Sequence, residues 1–136
     1  MNAEAVTLNF TIGGFGRGYE RIIWQDNKLH HELFSHIYPE DEVAVPDKVL
    51  KETVPLQKDW EEFWHKVDEL KIWNWDKEYF NQGIMDGTQW ELKIKRQGKR
   101  RRRIFGSNAY PQPNGTFTSF IEALNKLSNS KIKFEE

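Results

Sequence analysis

Two segments of this chain, residues 6–12 and 89–95, alternate apolar and polar residues with a period of two, and this pattern constrains the fold most strongly. Successive side chains of a β-strand point to opposite faces of a sheet, so the alternation is typical of a strand with one buried face. We therefore predict that both segments lie in one antiparallel sheet. The apolar positions are Val6, Leu8, Phe10 and Ile12 in the first segment and Trp90, Leu92 and Ile94 in the second.

Residues 19–25 and 28–35 predict two further strands, which would form a meander with residues 6–12. Asp26 and Asn27 lie between the two segments. These residue types tolerate the positive φ of a tight hairpin turn. The first third of the chain therefore indicates three antiparallel strands in sequence.

A glycine-rich stretch, residues 13–18, separates the first two predicted strands. Phosphate-binding loops also follow a strand, but they open a helix whose amides hold the anion. Here the next segment has the pattern of a strand, so the glycines indicate a hairpin loop at positive φ. Phe15 and Arg17 would lie at its tip, where they could contact a partner.

Two other segments, residues 59–71 and 116–127, have the apolar spacing of one helical face. Asp59 predicts the N-cap of the first helix, with Glu62 as its reciprocal partner three residues on. Thr116 predicts the N-cap of the second helix. The apolar stripes are Trp60, Phe63, Trp64, Val67 and Leu70 in the first helix and Phe117, Phe120, Ile121, Leu124 and Leu127 in the second.

Residues 39–58 contain three prolines and a run of acids, which predicts a connecting segment without strands and with room for one short helix. Residues 131–134 predict a final short strand. The whole chain, residues 1–136, is then a single α+β domain. Its antiparallel sheet, an N-terminal meander plus a later hairpin, is covered by two amphipathic helices.

The residue types present argue against several chemistries. The chain has no cysteine, which excludes disulfides, thiol catalysis and cysteine zinc sites and indicates a reducing, cytoplasmic setting. We expect no metal, because His30, His31, His36 and His65 do not bring three or four ligands together. No nucleophile motif occurs, and the carboxylates on residues 59–71 fit a solvated helix face. We therefore expect no enzyme activity and no cofactor.

No signal peptide and no apolar stretch of about 18 residues occur in the sequence, so no membrane association is expected.

Eight of the 20 basic residues lie in residues 93–103, although the formal net charge of the chain is −1. Residues 92–103 carry +8, so the rest of the chain carries −9. Gly98 marks the turn of a hairpin, and period two divides the charges between its two faces. Lys93 and Lys95 would point outward with either Arg100 and Arg102 or Arg101 and Arg103. We predict a surface ridge made of Lys93, Lys95, Arg100, Arg101, Arg102 and Arg103.

Two functions are compatible with this charge distribution. An acidic body with one basic ridge suits charge-steered association with another protein, so we expect a non-catalytic binding or accessory protein that acts through protein contacts. The alternative is non-specific nucleic-acid binding, in which the basic hairpin 93–103 would lie along a phosphate backbone. Single-strand binders interleave aromatic residues with their basic residues, and this run contains none.

A second candidate surface lies at one end of the predicted hairpin. If Trp90 pairs near Phe105 or Gly106, the turn before Trp90 and the loop after Gly106 meet at one end of the sheet. Two tryptophans that would face the same side, and a tyrosine, would line this end as a concave spot. The predicted binding surface consists of Trp73, Trp75, Asp86, Asn108 and Tyr110.

Four motifs in the second half of the chain resemble those of a group of small bacterial proteins of unknown activity. They are Trp-x-x-Phe (60–63), Trp-Asn-Trp (73–75), Asp-Gly-Thr-Gln-Trp (86–90) and Gly-Ser-Asn-Ala-Tyr-Pro (106–111). The resemblance covers roughly residues 60–127. The resemblance implies a shared fold, but it does not imply any particular reaction. The hairpin tip is variable in that group, which implies that the arginine run is not a function of the whole group.

Overall fold

A computed structural model of the chain describes residues 3–14, 16–35, 38–81, 83 and 87–134. Within these residues the chain forms seven strands, two α-helices and a single 3₁₀ turn at Ile72–Asn74. The strands and helices are β1 (Thr7–Gly14), β2 (Gly18–Gln25), β3 (Lys28–Phe34), β4 (Lys48–Thr53), α1 (Gln57–Glu69), β5 (Glu78–Phe80), β6 (Thr88–Lys95), β7 (Arg102–Ser107) and α2 (Thr116–Ser128).

The strands form one sheet in the order β4-β3-β2-β1-β6-β7-β5. Neighbouring strands are antiparallel except for β5 and β7, which are parallel. At the centre, β1 pairs with β6 from Thr7 opposite Lys95 to Gly14 opposite Thr88. The predicted meander, the predicted later hairpin and the α+β fold class are therefore confirmed.

The two helices cover one face of the sheet, called here the helix-covered face. Phe10 lies on this face with its ring centroid 5.5 Å from that of Phe120 on α2, and Phe63 on α1 lies 6.4 Å from the same ring. Such tilted and edge-on contacts are the geometry that aromatic pairs prefer. Of the apolar positions predicted from alternation, Val6 is wrong, because its side chain is 55% exposed. The others are buried, namely Leu8, Phe10, Ile12, Trp90, Leu92 and Ile94.

The opposite face, called here the polar face, buries an ion pair. Arg21 is 1% exposed, and its Nε lies 2.6 Å from Glu32 Oε1 on the neighbouring strand. The two Nη atoms of Arg21 donate to the carbonyl oxygens of Asp41 and Ala44 at 2.9 and 3.1 Å. A buried guanidinium needs such partners for its donors. Arg21 therefore holds part of the acidic segment 38–47 on the polar face.

Strand β4 lies inside residues 39–58, where no strand was predicted, so that prediction is wrong. The prolines at 46 and 55 flank β4 and do not interrupt it. This strand is stabilised by pairing with β3 and by a contact with the end of α2. In that contact, Thr53 Oγ1 donates to the carbonyl oxygen of Ser128 at 2.9 Å. Five of its six residues are exposed. Consequently no hydrophobic alternation marked it.

The helix starts also differ from the prediction. Helix α1 is capped at Leu56, and Asp59 lies three residues inside, where its carboxylate accepts a hydrogen bond from the Leu56 N–H at 2.9 Å. An acidic side chain at this position satisfies the N-cap amide as in a capping box, so Asp59 acts from the third position and Glu62 is not its partner. Helix α2 is capped by Gly115 at φ 94°, and Thr116 is its first residue.

Residues 131–134 form no strand, contrary to the prediction. The side chain of Asn125 binds both backbone groups of Ile132, accepting from its N–H at 2.9 Å and donating to its carbonyl at 2.8 Å. Because a side chain of α2 makes these hydrogen bonds, the backbone of Ile132 is paired without a neighbouring strand.

Candidate functional site

The register of the β6–β7 hairpin decides where its basic side chains lie. Lys93 is opposite Arg103, and Ile94 is opposite Arg102. Directly opposed residues share a face, so Arg103 lies on the polar face with Lys93, and Arg102 lies on the helix-covered face. The sequence left two pairings open, and the structure selects the one that groups Arg103 with Lys93. The turn contains Gly98 at φ 88°.

Arg102 is committed to the protein's own backbone. Its two Nη atoms donate to the carbonyl oxygens of Trp73 and Trp75, which belong to the segment after α1. A hydrogen bond to a carbonyl oxygen is stronger when the donor is charged, as the guanidinium is here. Arg102 therefore fastens the segment that leaves α1 to the hairpin.

Arg103 is also engaged, in a network around Glu91 on the polar face. Arg103 Nε donates to Glu91 Oε2 at 2.8 Å, Tyr38 Oη donates to Glu91 Oε1 at 3.3 Å, and Lys93 Nζ lies 4.0 Å away. Burial and the Glu91 carboxylate together raise the pKa of Tyr38 above its ordinary value. The same carboxylate raises the pKa of Arg103. This network links segment 38–47 to the hairpin, and sequence patterns gave no sign of Tyr38 in it.

Arg100 and Arg101 line a groove at the hairpin tip together with Lys77 and Lys99, whereas Lys95 lies outside it and donates to the carbonyl oxygen of Lys99 at 2.7 Å. The volume of the groove is about 950 Å³. Among the described residues, no carboxylate lies within ion-pair distance of Arg100, Arg101, Lys77 or Lys99. We call this surface the basic groove. It is lined by Trp73, Lys77, Glu78, Glu91, Lys99, Arg100, Arg101, Arg102, Arg103 and Phe105.

Trp73 lines the basic groove, although no tryptophan lies within the basic run, and the buried Trp64 lies behind it. Trp73 stacks on Trp64 with their centroids 6.2 Å apart and their planes at 24°. Lys99 Nζ lies 6.0 Å from the centroid of the Trp73 ring, and the Arg96 guanidinium lies 5.0 Å from that of Trp64. These are cation–π distances. Asp68 fixes both partners, because it accepts from Trp73 Nε1 at 2.9 Å and lies 3.5 Å from Arg96.

The predicted pairing of Trp90 with Gly106 is confirmed, and it brings Gly87 against Asn108 at one end of the sheet, but the predicted binding surface as a whole is not brought together. Trp75 is buried in the core at 7% exposure, so its predicted place on the surface is wrong. Trp73 lies near the Arg102 end of β7, whereas Asn108 and Tyr110 follow the opposite end. A strand of six residues is about 20 Å long, so the length of β7 separates Trp73 from Asn108 and Tyr110. Asp86 lies outside the described residues.

The loop after β7 has a structural role. Asn108 has φ 55°, as its residue type permits. Tyr110 packs on the rings of Phe117 and Phe134 at 5.1 and 4.8 Å. Position 106 requires glycine for a steric reason. A Cβ there would lie 2.0 Å from Trp90 Nε1.

Gly13 and Gly14 end β1, and Gly18 begins β2, the strand that follows as predicted. Gly16 and Gly18 have the predicted positive φ, at 86° and 77°. Phe15 lies outside the described residues, and Arg17 donates to Thr88 Oγ1 at 2.7 Å. Two histidines are engaged locally, since the His30 ring is 3.0 Å from the carbonyl oxygen of Gln25 and the His31 ring is 2.8 Å from Glu20.

His36 lies outside the described residues. In the part of the chain that the structure describes, no three histidine or acidic side chains are grouped so that they could hold a metal ion. Over the same residues, no helix is long and apolar enough to cross a membrane.

Comparison of the chain with known protein families, curated proteins and solved structures gives no match.

Proposed function

We propose that this protein is a non-catalytic binding protein whose basic groove takes up an acidic segment of another protein. The observation behind the proposal is that Arg100, Arg101, Lys77 and Lys99 line one groove without any described carboxylate to neutralise them. Unpaired cations of this kind attract an acidic partner and direct its orientation.

The surroundings of the groove favour a short acidic segment over a long polyanion. Glu78 and Glu91 lie among the lining residues, so a ligand with negative charge along its whole length would be attracted by the cations and repelled near these two carboxylates. Outside residues 92–103 the chain carries −9, and a nucleic acid extending beyond the groove would meet this charge. A peptide can place carboxylates only where cations are present. The apolar Phe105, half-buried in the groove, provides a contact for an apolar residue next to those carboxylates.

Non-specific nucleic-acid binding is the second candidate, and one observation favours it. The fold brings Trp73 to the basic hairpin, which supplies the aromatic neighbour that the basic run itself lacks. Bases stack on such rings in single-strand binders. One face of Trp73 is stacked on Trp64, which leaves less ring area for a base.

Site-directed photo-crosslinking separates the two candidates. The chain has no cysteine, so Arg101→Cys introduces a unique thiol for a photoreactive label at the groove. Lys133→Cys is the matched control, since it removes the same charge at an exposed position near Gly13, at the other end of the sheet. Both proteins are irradiated in an extract of the native cell, with and without nuclease.

The proposal predicts a discrete protein adduct that forms from position 101, resists nuclease and is absent from position 133. An added acidic peptide should suppress it. A nuclease-sensitive adduct from position 101 would establish the nucleic-acid candidate in its place. Equal labelling patterns from both positions would show that the groove has no specific partner.

A further inference from the structure

The outer edge of β7 is covered by another strand along only part of its length. Strand β5 pairs with Phe105, Gly106 and Ser107 and with no earlier residue of β7. The first half of β7, which begins at Arg102, therefore has β6 on one side and no strand on the other among the described residues. The basic groove lies along this half, beside residues 73–78. An uncovered edge of this kind can pair with a strand from another molecule.

The hydrogen bonds of β7 show which backbone groups face the groove. The N–H of Asn108 donates to the carbonyl oxygen of Thr88 before β6 at 2.8 Å, whereas the N–H of Phe105 donates away from β6, to the carbonyl oxygen of Lys77 at 2.9 Å. In an antiparallel pair, successive residues alternate between these two directions. Arg103 therefore directs its N–H and C=O away from β6, as Phe105 does. In the described part of the chain, no hydrogen bond reaches either group of Arg103.

The side chains along this edge match a segment in which acidic and apolar residues alternate. A residue paired with Arg103 shares its face of the sheet. The Arg103 side chain is 69% exposed and gives only its Nε to Glu91, so its two Nη atoms can bind a carboxylate at that position. The next residue of an added strand points to the helix-covered side, where the half-buried Trp73 lines the groove.

The geometry also limits the length and the conformation of the segment. Glu78 already pairs with Phe105, so an added strand that follows β7 must end beside Arg103. A short segment fits this space, and a long polyanion does not. A helix uses its own backbone groups internally, so an acidic helix in the groove would leave the N–H and C=O of Arg103 without partners.

We propose that the basic groove binds its partner as an added strand of the sheet, paired with the backbone of Arg103, and that this partner is a short extended segment of alternating acidic and apolar residues. The inference rests on the function proposed above and specifies how the partner binds. In such strand addition, backbone hydrogen bonds supply affinity and alternate side chains supply specificity.

The test compares three labelled peptides of alternating Glu and Phe in titrations with the full chain. One is unmodified, one has a methyl group on the backbone nitrogen of every Glu, and one has it on the backbone nitrogen of every Phe. All three have the same side chains and the same charge. Only every second residue of an added strand directs its N–H to the neighbouring strand, so one set of methyl groups meets β7 and the other meets solvent. The variant Arg100→Ser, Arg101→Ser establishes that the unmodified peptide occupies the groove.

We expect the unmodified peptide to bind the wild type, and to bind the groove variant at least about tenfold more weakly. One methylated peptide should bind within about twofold of the unmodified one, and the other at least about tenfold more weakly, because its methyl groups remove the hydrogen bonds to β7. Hydrogen exchange of the Arg103 amide should slow at least about tenfold when the unmodified peptide is bound.

The outcomes separate this inference from the function on which it rests. Equal affinities of the two methylated peptides, with groove-dependent binding of the unmodified one, would overturn strand addition and leave the proposed function intact. An Arg103 amide that exchanges at the same rate in the complex would do the same. Failure of the unmodified peptide to bind, or binding that is indifferent to the groove variant, would overturn both.

Discussion

The helix-covered face of the sheet is filled with rings and aliphatic side chains, whereas the polar face buries charged groups. On the first face, Trp90 and Phe117 are fully buried with their centroids 4.5 Å apart. On the second, Arg21, Glu32 and Glu91 are all at most 9% exposed, and each has a charged partner within 2.8 Å. The two faces are built from the same strands, on alternate residues.

The difference shows how each kind of burial constrains the chain. A ring gains free energy from any apolar neighbour of suitable shape, so the helix-covered face depends on pattern and volume. A buried charge needs particular partners, so the polar face depends on particular contacts with segment 38–47 and the hairpin. Arg100 and Arg101 belong to neither face. They are exposed and have no carboxylate partner in the described part of the chain.

The largest expected effect is on the helix-covered face. Trp90→Ala should lower the free energy of unfolding by about 3–5 kcal/mol, because it leaves a cavity among fully buried rings. Leu124→Ala, also fully buried, should cost about 2–5 kcal/mol, and so should Trp64→Ala. Urea unfolding followed by circular dichroism measures all three. A loss below about 0.5 kcal/mol for any of them would show that its stripe faces solvent.

Breaking the buried ion pair on the polar face should have the next largest effect. Glu32→Leu should cost about 3 kcal/mol, because it leaves the Arg21 guanidinium buried without its carboxylate. Arg21→Met combined with Glu32→Leu should recover most of this loss, since two apolar side chains then meet. If the double variant were as unstable as the single one, the hydrogen bonds from Arg21 to segment 38–47 would stabilise the fold more than the ion pair does.

A smaller effect is expected at the Tyr38–Glu91 hydrogen bond. Tyr38→Phe should cost about 1 kcal/mol at neutral pH. The pKa of Tyr38 is raised in the folded state, so the folded protein favours the neutral phenol. This contribution is fully present below the unfolded pKa of about 10 and is lost as pH rises toward the folded value. Wild-type protein should therefore lose more stability than Tyr38→Phe between about pH 9 and 11, and parallel pH profiles would contradict this.

The smallest expected effect on stability is at the groove. The double variant Arg100→Ser, Arg101→Ser should change the free energy of unfolding by less than about 0.5 kcal/mol, because both side chains are exposed and unpaired among the described residues. Arg102→Ser is the matched comparison within the same run. It should cost about 1–3 kcal/mol, since the carbonyl groups of Trp73 and Trp75 lose their donor. Equal losses would mean that Arg102 is not structurally distinct from Arg100 and Arg101.

The comparison of the two faces also explains what the sequence could predict. Strands β1 and β6 and the apolar stripes of α1 and α2 were predictable, because one-sided burial produces a visible period. Strand β4 was not, since it is exposed on the sheet edge and depends on pairing with β3.

For the candidate site, the concentration of basic residues at the hairpin was visible in the sequence, but their separate roles were not, and Arg102 does not join the predicted surface ridge. Arg102 and Arg103 are adjacent in sequence, yet one binds backbone carbonyls and the other binds Glu91. Trp73 comes to the hairpin through contacts more than 20 residues away in the chain. No local pattern contains such information.

A salt-resolved binding titration tests the basic groove most directly. A labelled peptide of alternating Glu and Phe is titrated with wild-type protein, with Arg100→Ser, Arg101→Ser, and with Lys131→Ser, Lys133→Ser, which removes the same charge at exposed positions elsewhere. Single-stranded and duplex nucleic acids are titrated in parallel. We expect the peptide to bind the wild type and the control equally, and the groove variant at least about tenfold more weakly. Nucleic acids should bind at micromolar or weaker affinity, without sequence preference and with loss at higher salt. Peptide binding that is unaffected by the groove variant, or tight sequence-dependent nucleic-acid binding that the variant abolishes, would contradict the account.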